Sequence, residues 1–288
     1  MNRYQKFIEI FKKGLKRPKY IFPNIYSHYK RRQNNKQTEI IRKKINQENL
    51  IWHFSTPKAA SSYLSYLLIL NNTKHVSALP PYERDRIPVT DFSVLYNQIQ
   101  EKKFSYEKRS YVNVSHSIYD SFLGKYISEK HLVIIQFRNI YKTVLSLKDY
   151  MISSGITNDN FFIKFDHKKY NDKDVLKLMI FNYVPYHINF IKTWLESKIR
   201  GKKILINYES FIKNEKHYLE KIFIGDEKKN IIIPDIEKIK EKKSIKYNLG
   251  TKRENNLTID EKKLIDEIVD INTKHSDPII KSLIYDNS

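Results

Sequence analysis

The sequence predicts an α/β fold, with a central parallel sheet flanked by helices and a helix-rich C-terminal part. Short stretches rich in branched and aromatic residues alternate with longer stretches that are apolar at helical spacing, the pattern of strands joined by crossover helices. One short stretch, Leu132-Val133-Ile134-Ile135-Gln136-Phe137, is apolar almost throughout, as a strand covered on both faces must be. A length of 288 residues fits one large domain, or a domain with a smaller appendage, and is enough to bury a sizeable core.

Residues 1–48 are set apart as a basic N-terminal segment, helical or peripheral, and 49–288 form the main domain. In the first segment Phe7, Ile10, Phe11 and Leu15 share a helical face rimmed by Lys6, Lys12, Lys13 and Lys16. Such a face either docks on the domain or lies on anionic lipid. Gln33 to Gln37 is the most linker-like stretch. Leu50 to Phe54 reads as a strand and Ser55 to Ala60 as a tight polar turn. The hydroxyls of Ser61-Ser62 then open a helix through Leu70. His75 to Leu79 reads as a short strand, Pro80 to Asp85 as a turn, and Phe92 to Lys102 as a helix. Ser110 to Ser115 alternates like a half-buried strand and ends at His116.

The strand Leu132 to Phe137 delivers Arg138, and the next helix keeps Ile140, Val144, Leu147 and Met151 on one side. Asp174 to Leu195 is a further helix, and Lys203 to Asn207 is a strand that runs into Tyr208-Glu209. The remainder is mostly helical in pattern, punctuated by Pro234 and Gly250, with a helix start at Leu257-Thr258-Ile259-Asp260-Glu261. Ligands of a parallel sheet sit at the carboxyl ends of its strands, where Lys58, His116, Arg138 and Tyr208 gather.

Composition bounds the partners. Lys and Arg total 53 against 32 Asp and Glu, a net charge of +21. That balance attracts nucleic acid, anionic lipid, acidic glycan or a multiply phosphorylated nucleotide without choosing among them. The absence of cysteine excludes a disulfide framework and a thiolate metal site. The nine histidines show no HExxH or comparable ligand spacing, so zinc is not expected, and His53 inside the first strand reads as a satisfied core histidine. No apolar run approaches the roughly 20 residues of a membrane span. The expectation is a cytoplasmic protein, with the basic N-terminus as its route to a membrane surface.

Strand, loop and helix with a lysine in the loop describe an anion cradle, because the first turn of a helix has unpaired N–H groups and a partial positive charge. The nucleotide-triphosphatase loop is excluded, since it needs GxxxxGK[ST] and no glycine lies between Gly14 and Gly124. The stretch Thr56-Pro57-Lys58-Ala59-Ala60-Ser61-Ser62-Tyr63-Leu64 instead resembles the 5′-phosphosulfate loop of sulfotransferases, T-x-P-K-[SA]-G-[ST]-[ST]-[WFY]-L, with one residue fewer before the proline. Ala60 replaces the family glycine, which implies a negative φ there. Arg138-Asn139-Ile140 through Ser146 resembles that family's 3′-phosphate motif, R-[DN]-P-x-x-x-x-x-S, with Ile140 for proline. Ile204 to Phe211 is similar to its later strand ending in Y-E-D-[LF], with Ser210 for the aspartate. Lys246 to Arg253 is similar to its basic loop before a helix, without the usual tryptophan. The resemblance spans about residues 48–272.

The resemblance implies a P-loop-like sulfotransferase architecture and 3′-phosphoadenosine 5′-phosphosulfate as co-substrate, with no metal. It implies that Pro57 to Tyr63 hold the 5′-phosphate, that Arg138 and Ser146 clamp the 3′-phosphate, that Tyr208 lies near the adenine, that Glu209 is more structural, and that Lys252 and Arg253 close over the nucleotide. Lys58 is the expected catalytic cation. His116 is the expected general base, on the resemblance of Val112 to His116 to the family's K-T-H segment with Val114 for lysine; Glu83 or Asp85 is the reserve. The acceptor is expected to be a hydroxyl-bearing carbohydrate or cell-surface glycan, with small phenols or amines as the alternatives.

Other classes compete. A nucleic-acid-binding protein could use the charge and the 21 tyrosines for phosphate contact and stacking. Its basic residues are spread along the chain and no reader motif is present, so nucleic acid is not expected. A kinase is disfavoured by the missing Walker loop and metal-binding aspartate. A non-catalytic nucleotide-binding protein on the same scaffold is the remaining alternative, since a fold does not guarantee its chemistry.

Overall fold

The computed structural model describes residues 39, 42–43, 45–47, 49–71, 73–77, 110–119, 121–154, 170–224, 231–234 and 257–285. The chain divides into two units, Met1–Ile45 and Asn46–Ser288. The described residues of the first are helical, and Arg42 pairs there with Glu39 one turn earlier. The basic face of Phe7 to Leu15, the linker-like Gln33 to Gln37, the expected helix Phe92 to Lys102, and Glu83, Asp85, Lys252 and Arg253 all lie outside the described residues.

Among the described residues the second unit is built on five parallel strands, β1 (Leu50–Ser55), β2 (Lys74–Ser77), β3 (Ser110–Ser115), β4 (Leu132–Phe137) and β5 (Lys202–Asn207), the parallel sheet that was expected. Their order across the sheet is β2-β3-β1-β4-β5. The described helices are α1 (Ser61–Leu70), α2 (Ser121–Gly124), α3 (Ile140–Ser154), α4 (Asp172–Leu195), α5 (Tyr208–Lys213), α6 (Glu215–Ile222), α7 (Ile259–Thr273) and α8 (Pro278–Tyr285). β1 and β4 are buried at every position, which is why both read as apolar runs with little alternation.

Each face of the sheet has its own cover. On one, Ile51, Tyr111, Leu132, Ile134, Ile204 and Ile206 pack with Leu64, Leu67 and Leu68 of α1, Phe211 of α5, and Leu219 and Ile222 of α6. The other is aromatic: Phe54 lies on Trp194 of α4 with ring centroids 4.0 Å apart, and Trp52 stacks beside Phe54. Helices α3, α7 and α8 pack on α4 in turn.

The helix ends follow local chemistry. Asn171 caps α4 by accepting from the Asp174 N–H, and Asp172 and Asp174 sit in its positive first turn. At the other end the Lys203 ammonium donates to the carbonyls of Leu195 and Ser197, both at 3.1 Å. α7 opens with a capping box between Thr258 and Glu261, the start read from the acidic first turn.

The strand order fixes where a ligand can sit. After β1 the chain turns toward the β3–β2 side, and after β4 it turns toward β5. The two connections diverge and leave a crevice beyond the carboxyl ends of β1 and β4. A register shift between His53 and Phe54 sets Ser115 opposite Phe54, so the chain leaving β3 arrives level with the end of β1.

Candidate active site

The turn after β1 is short and strained. The Thr56 N–H donates to the Gln136 carbonyl at 2.9 Å, which ties the turn to β4, and the Ala59 N–H closes on Thr56. Lys58 and Ala60 both adopt left-handed backbone, with φ of 63° and 62°. The expected negative φ at Ala60 is therefore wrong: the alanine takes the conformation that a glycine adopts freely, at about 1–2 kcal/mol for each such residue.

Helix α1 does begin at Ser61, but its N-cap is Ala60 and no side chain caps it. The expected capping by Ser61 and Ser62 hydroxyls does not occur, because both residues lie inside the first turn. The N–H groups of Ala60, Ser61 and Ser62 donate to no acceptor among the described residues. Three such donors at a helix start form a concave, partly positive cradle suited to an oxyanion.

Arg138 meets this turn from β4. Its Nη1 donates to the Lys58 carbonyl at 3.2 Å, and its Nε donates to Glu209 Oε1 at 3.3 Å. Its guanidinium carbon lies 4.4 Å from the centroid of the Tyr208 ring. Glu209 also accepts from the Asn139 N–H and pairs with Lys142 at 3.4 Å, so one carboxylate holds the whole turn after β4. Nη2 makes no hydrogen bond among the described residues. The neighbouring Asn139 donates through Nδ2 to the Tyr285 carbonyl of α8 at 2.7 Å. Tyr285 in turn shares Asp266 of α7 with Tyr141 of α3.

Helix α3 joins the two anchors. Lys142, Ser146 and Tyr150 recur every four residues and so form one stripe. Lys142 reaches Glu209, and the Tyr150 ring lies 4.6 Å from the Lys58 ammonium. Ser146 is buried between them on the same stripe.

His116 follows β3 directly, and its Nδ1 lies 2.8 Å from the Ser55 carbonyl. A carbonyl only accepts, so Nδ1 carries the proton and Nε2 presents its lone pair. Burial lowers its pKa below the ordinary imidazole range, and the hydrogen bond to Ser55 offsets part of that shift. The imidazole is therefore neutral and competent as a base at neutral pH. Two tyrosines of α4, one turn apart, steady this region. Tyr186 donates to the His116 carbonyl, and Tyr183, itself hydrogen-bonded to His187 at 3.1 Å, points its hydroxyl at the Pro57 carbonyl. Tyr150, Tyr183 and Tyr186 carry no sequence signal beyond an aromatic spacing indistinguishable from a core stripe.

A chain of hydrogen bonds runs beneath the turn through an otherwise apolar layer. Ser61 O, Ser65 Oγ, Tyr111 Oη, His53 and Gln136 Oε1 are linked in that order at 2.8, 2.5, 2.7 and 2.8 Å. His53 is the satisfied core histidine that was expected, and burial lowers its pKa to about 4. Tyr63, by contrast, is no part of the cradle. It is buried in the core with its hydroxyl donating to Glu215 at 2.8 Å, because its place on α1 turns it toward α6. Pro57 and Ala59 are also buried, and Pro57 offers its carbonyl to Tyr183. Among the described residues no cluster of three His, Asp or Glu could hold a metal, and no helix is long and apolar enough to cross a membrane.

No family model and no curated protein sequence matches the chain. Among solved structures, the chain is similar to a mouse sulfotransferase, SULT7A1, complexed with PAP, at 18% identity over 85% of this chain and 92% of that one, with a TM-score of 0.49.

Proposed function

We propose that this protein is a sulfotransferase that moves a sulfuryl group from 3′-phosphoadenosine 5′-phosphosulfate to a hydroxyl of a carbohydrate or cell-surface glycan. The observation that carries this reading is the 3.2 Å contact between Arg138 Nη1 and the Lys58 carbonyl. It brings the turn after β1 and the turn after β4, 80 residues apart in sequence, together. A nucleotide with phosphates at both ends of its ribose fits that pairing, and an ordinary adenylate fills only half of it.

Each residue has a part set by its chemistry. The N–H groups of Ala60, Ser61 and Ser62 would hold the 5′-phosphate, while Arg138 Nη2 and Ser146 would grip the 3′-phosphate, with the Tyr208 ring alongside. Transfer breaks the sulfur–oxygen bond to the 5′-phosphate and forms one to the acceptor oxygen. Lys58 would neutralise the charge left on the phosphate oxygen, and His116 Nε2 would take the acceptor proton. Lys252 and Arg253 would close over the nucleotide. The net charge of +21 supports an anionic or lipid-linked sugar polymer as acceptor.

A thermal-shift titration with adenosine 3′,5′-bisphosphate, AMP and ATP tests the reading. Saturation to 100 times the dissociation constant stabilises a protein by about 2.7 kcal/mol. A shift is expected for the bisphosphate alone, lost in Arg138→Ala and Lys58→Ala and kept in His116→Ala. Equal shifts from all three nucleotides, or none from the bisphosphate, would overturn the assignment.

A further inference from the structure

We propose that Tyr150 is a positioning residue for the Lys58 ammonium, an inference that rests on the function proposed above. The ammonium lies 4.6 Å from the centroid of the Tyr150 ring, within reach of its negative face. The ring stands one helical turn beyond Ser146, and Lys142 stands one turn before it, tied through Glu209 to Arg138. A single stripe of α3 therefore runs from the arginine anchor, past the serine, to the tip of the lysine. Lysine has a flexible four-carbon stem that leaves its charge poorly placed unless something holds it. A carboxylate at position 150 would hold the ammonium but cancel the charge that an anionic donor must meet. The face of an aromatic ring holds the cation and leaves its charge in place.

The test compares Tyr150→Phe, which keeps the ring face, with Tyr150→Leu, which keeps bulk and loses it, in the full chain. The assay is transfer to water. It breaks the sulfur–oxygen bond to the 5′-phosphate, forms one to the water oxygen, and yields sulfate, adenosine 3′,5′-bisphosphate and two protons. Tyr150→Leu should lower kcat by about three- to tenfold while KM for the donor and the thermal shift with bisphosphate stay unchanged. Tyr150→Phe should match the parent. A second measurement needs no turnover: acetylation of Lys58 by acetic anhydride, read by peptide mass spectrometry, should be several-fold faster in the leucine variant and unchanged in the phenylalanine variant.

Equal kcat and equal acetylation in Tyr150→Leu would overturn the inference while leaving the bisphosphate shift, and so the function, intact. A phenylalanine variant as impaired as the leucine variant would also overturn it, since the hydroxyl would then be responsible. Absence of any bisphosphate shift in the parent is the separate failure, that of the proposed function.

Discussion

The two anchors of the crevice are built in opposite ways. The turn after β1 holds itself with few bonds, carries two left-handed residues, and leaves the N–H groups of Ala60, Ser61 and Ser62 without acceptors among the described residues. The turn after β4 is unstrained and heavily braced, with Arg138 held by Glu209, the Lys58 carbonyl and the Tyr208 ring. The first keeps its donors open through backbone strain; the second gains orientation through a counter-charge. An oxyanion arriving at the first meets donors already aimed. One arriving at the second meets a guanidinium already fixed in direction but partly neutralised. A ligand that uses both gains preorganisation from each without either turn carrying strain and counter-charge together.

The largest expected effect comes from removing the charge of the strained turn. Lys58→Ala should lower donor turnover by about 10²–10³-fold, the scale seen when a transition-state charge partner is lost, and steady-state rates with the donor would measure it. A loss below tenfold would mean that the cation is not at the chemistry.

Next comes pH, because Gln136 joins the two anchors from below and is held by His53. The folded pKa of His53 is depressed to about 4, against an ordinary value of 6.5. The neutral form is thus favoured in the folded state. Its contribution to stability is complete above pH 6.5 and is lost as the pH falls toward 4, by about 3 kcal/mol in all. Buried His187, with its pKa lowered to about 3, acts with the same sign. Urea midpoints between pH 7 and pH 4 should fall, and His53→Gln should flatten the slope without abolishing it. An unchanged slope in that variant would remove the histidine from beneath the crevice.

The braced turn gives the third effect. Glu209→Gln should destabilise the fold by about 2 kcal/mol, the value of a charge-assisted hydrogen bond in a largely buried site, measurable by urea denaturation. The smallest effect runs the other way. Ala60→Gly should stabilise by about 1 kcal/mol, since glycine takes left-handed backbone without strain. If that substitution destabilises instead, the strain assigned to the turn after β1 is absent and the contrast between the anchors fails.

The sheet was legible in the sequence because buried parallel strands leave near-continuous apolar runs, and the positions of Lys58, His116 and Arg138 follow from where those runs end. Their partners were not legible. Residue type does not state backbone angle, so Ala60 concealed its left-handed conformation. Tyr63 was misread because the rotation of α1 about its axis decides which side chain of its first turn faces the core. Glu209 was read as structural, which holds in direction, but its grip on Arg138 spans 71 residues. Tyr183 and Tyr186 use ring bodies as core and hydroxyls as pins, a division that spacing alone does not reveal.

One link has a practical use. Asn139, next to the arginine, is hydrogen-bonded to the main chain of Tyr285 at the end of α8. An environment-sensitive fluorophore placed at the end of α8 would sit a short relay of contacts from Arg138, so its emission should change when adenosine 3′,5′-bisphosphate is added if the proposed function holds.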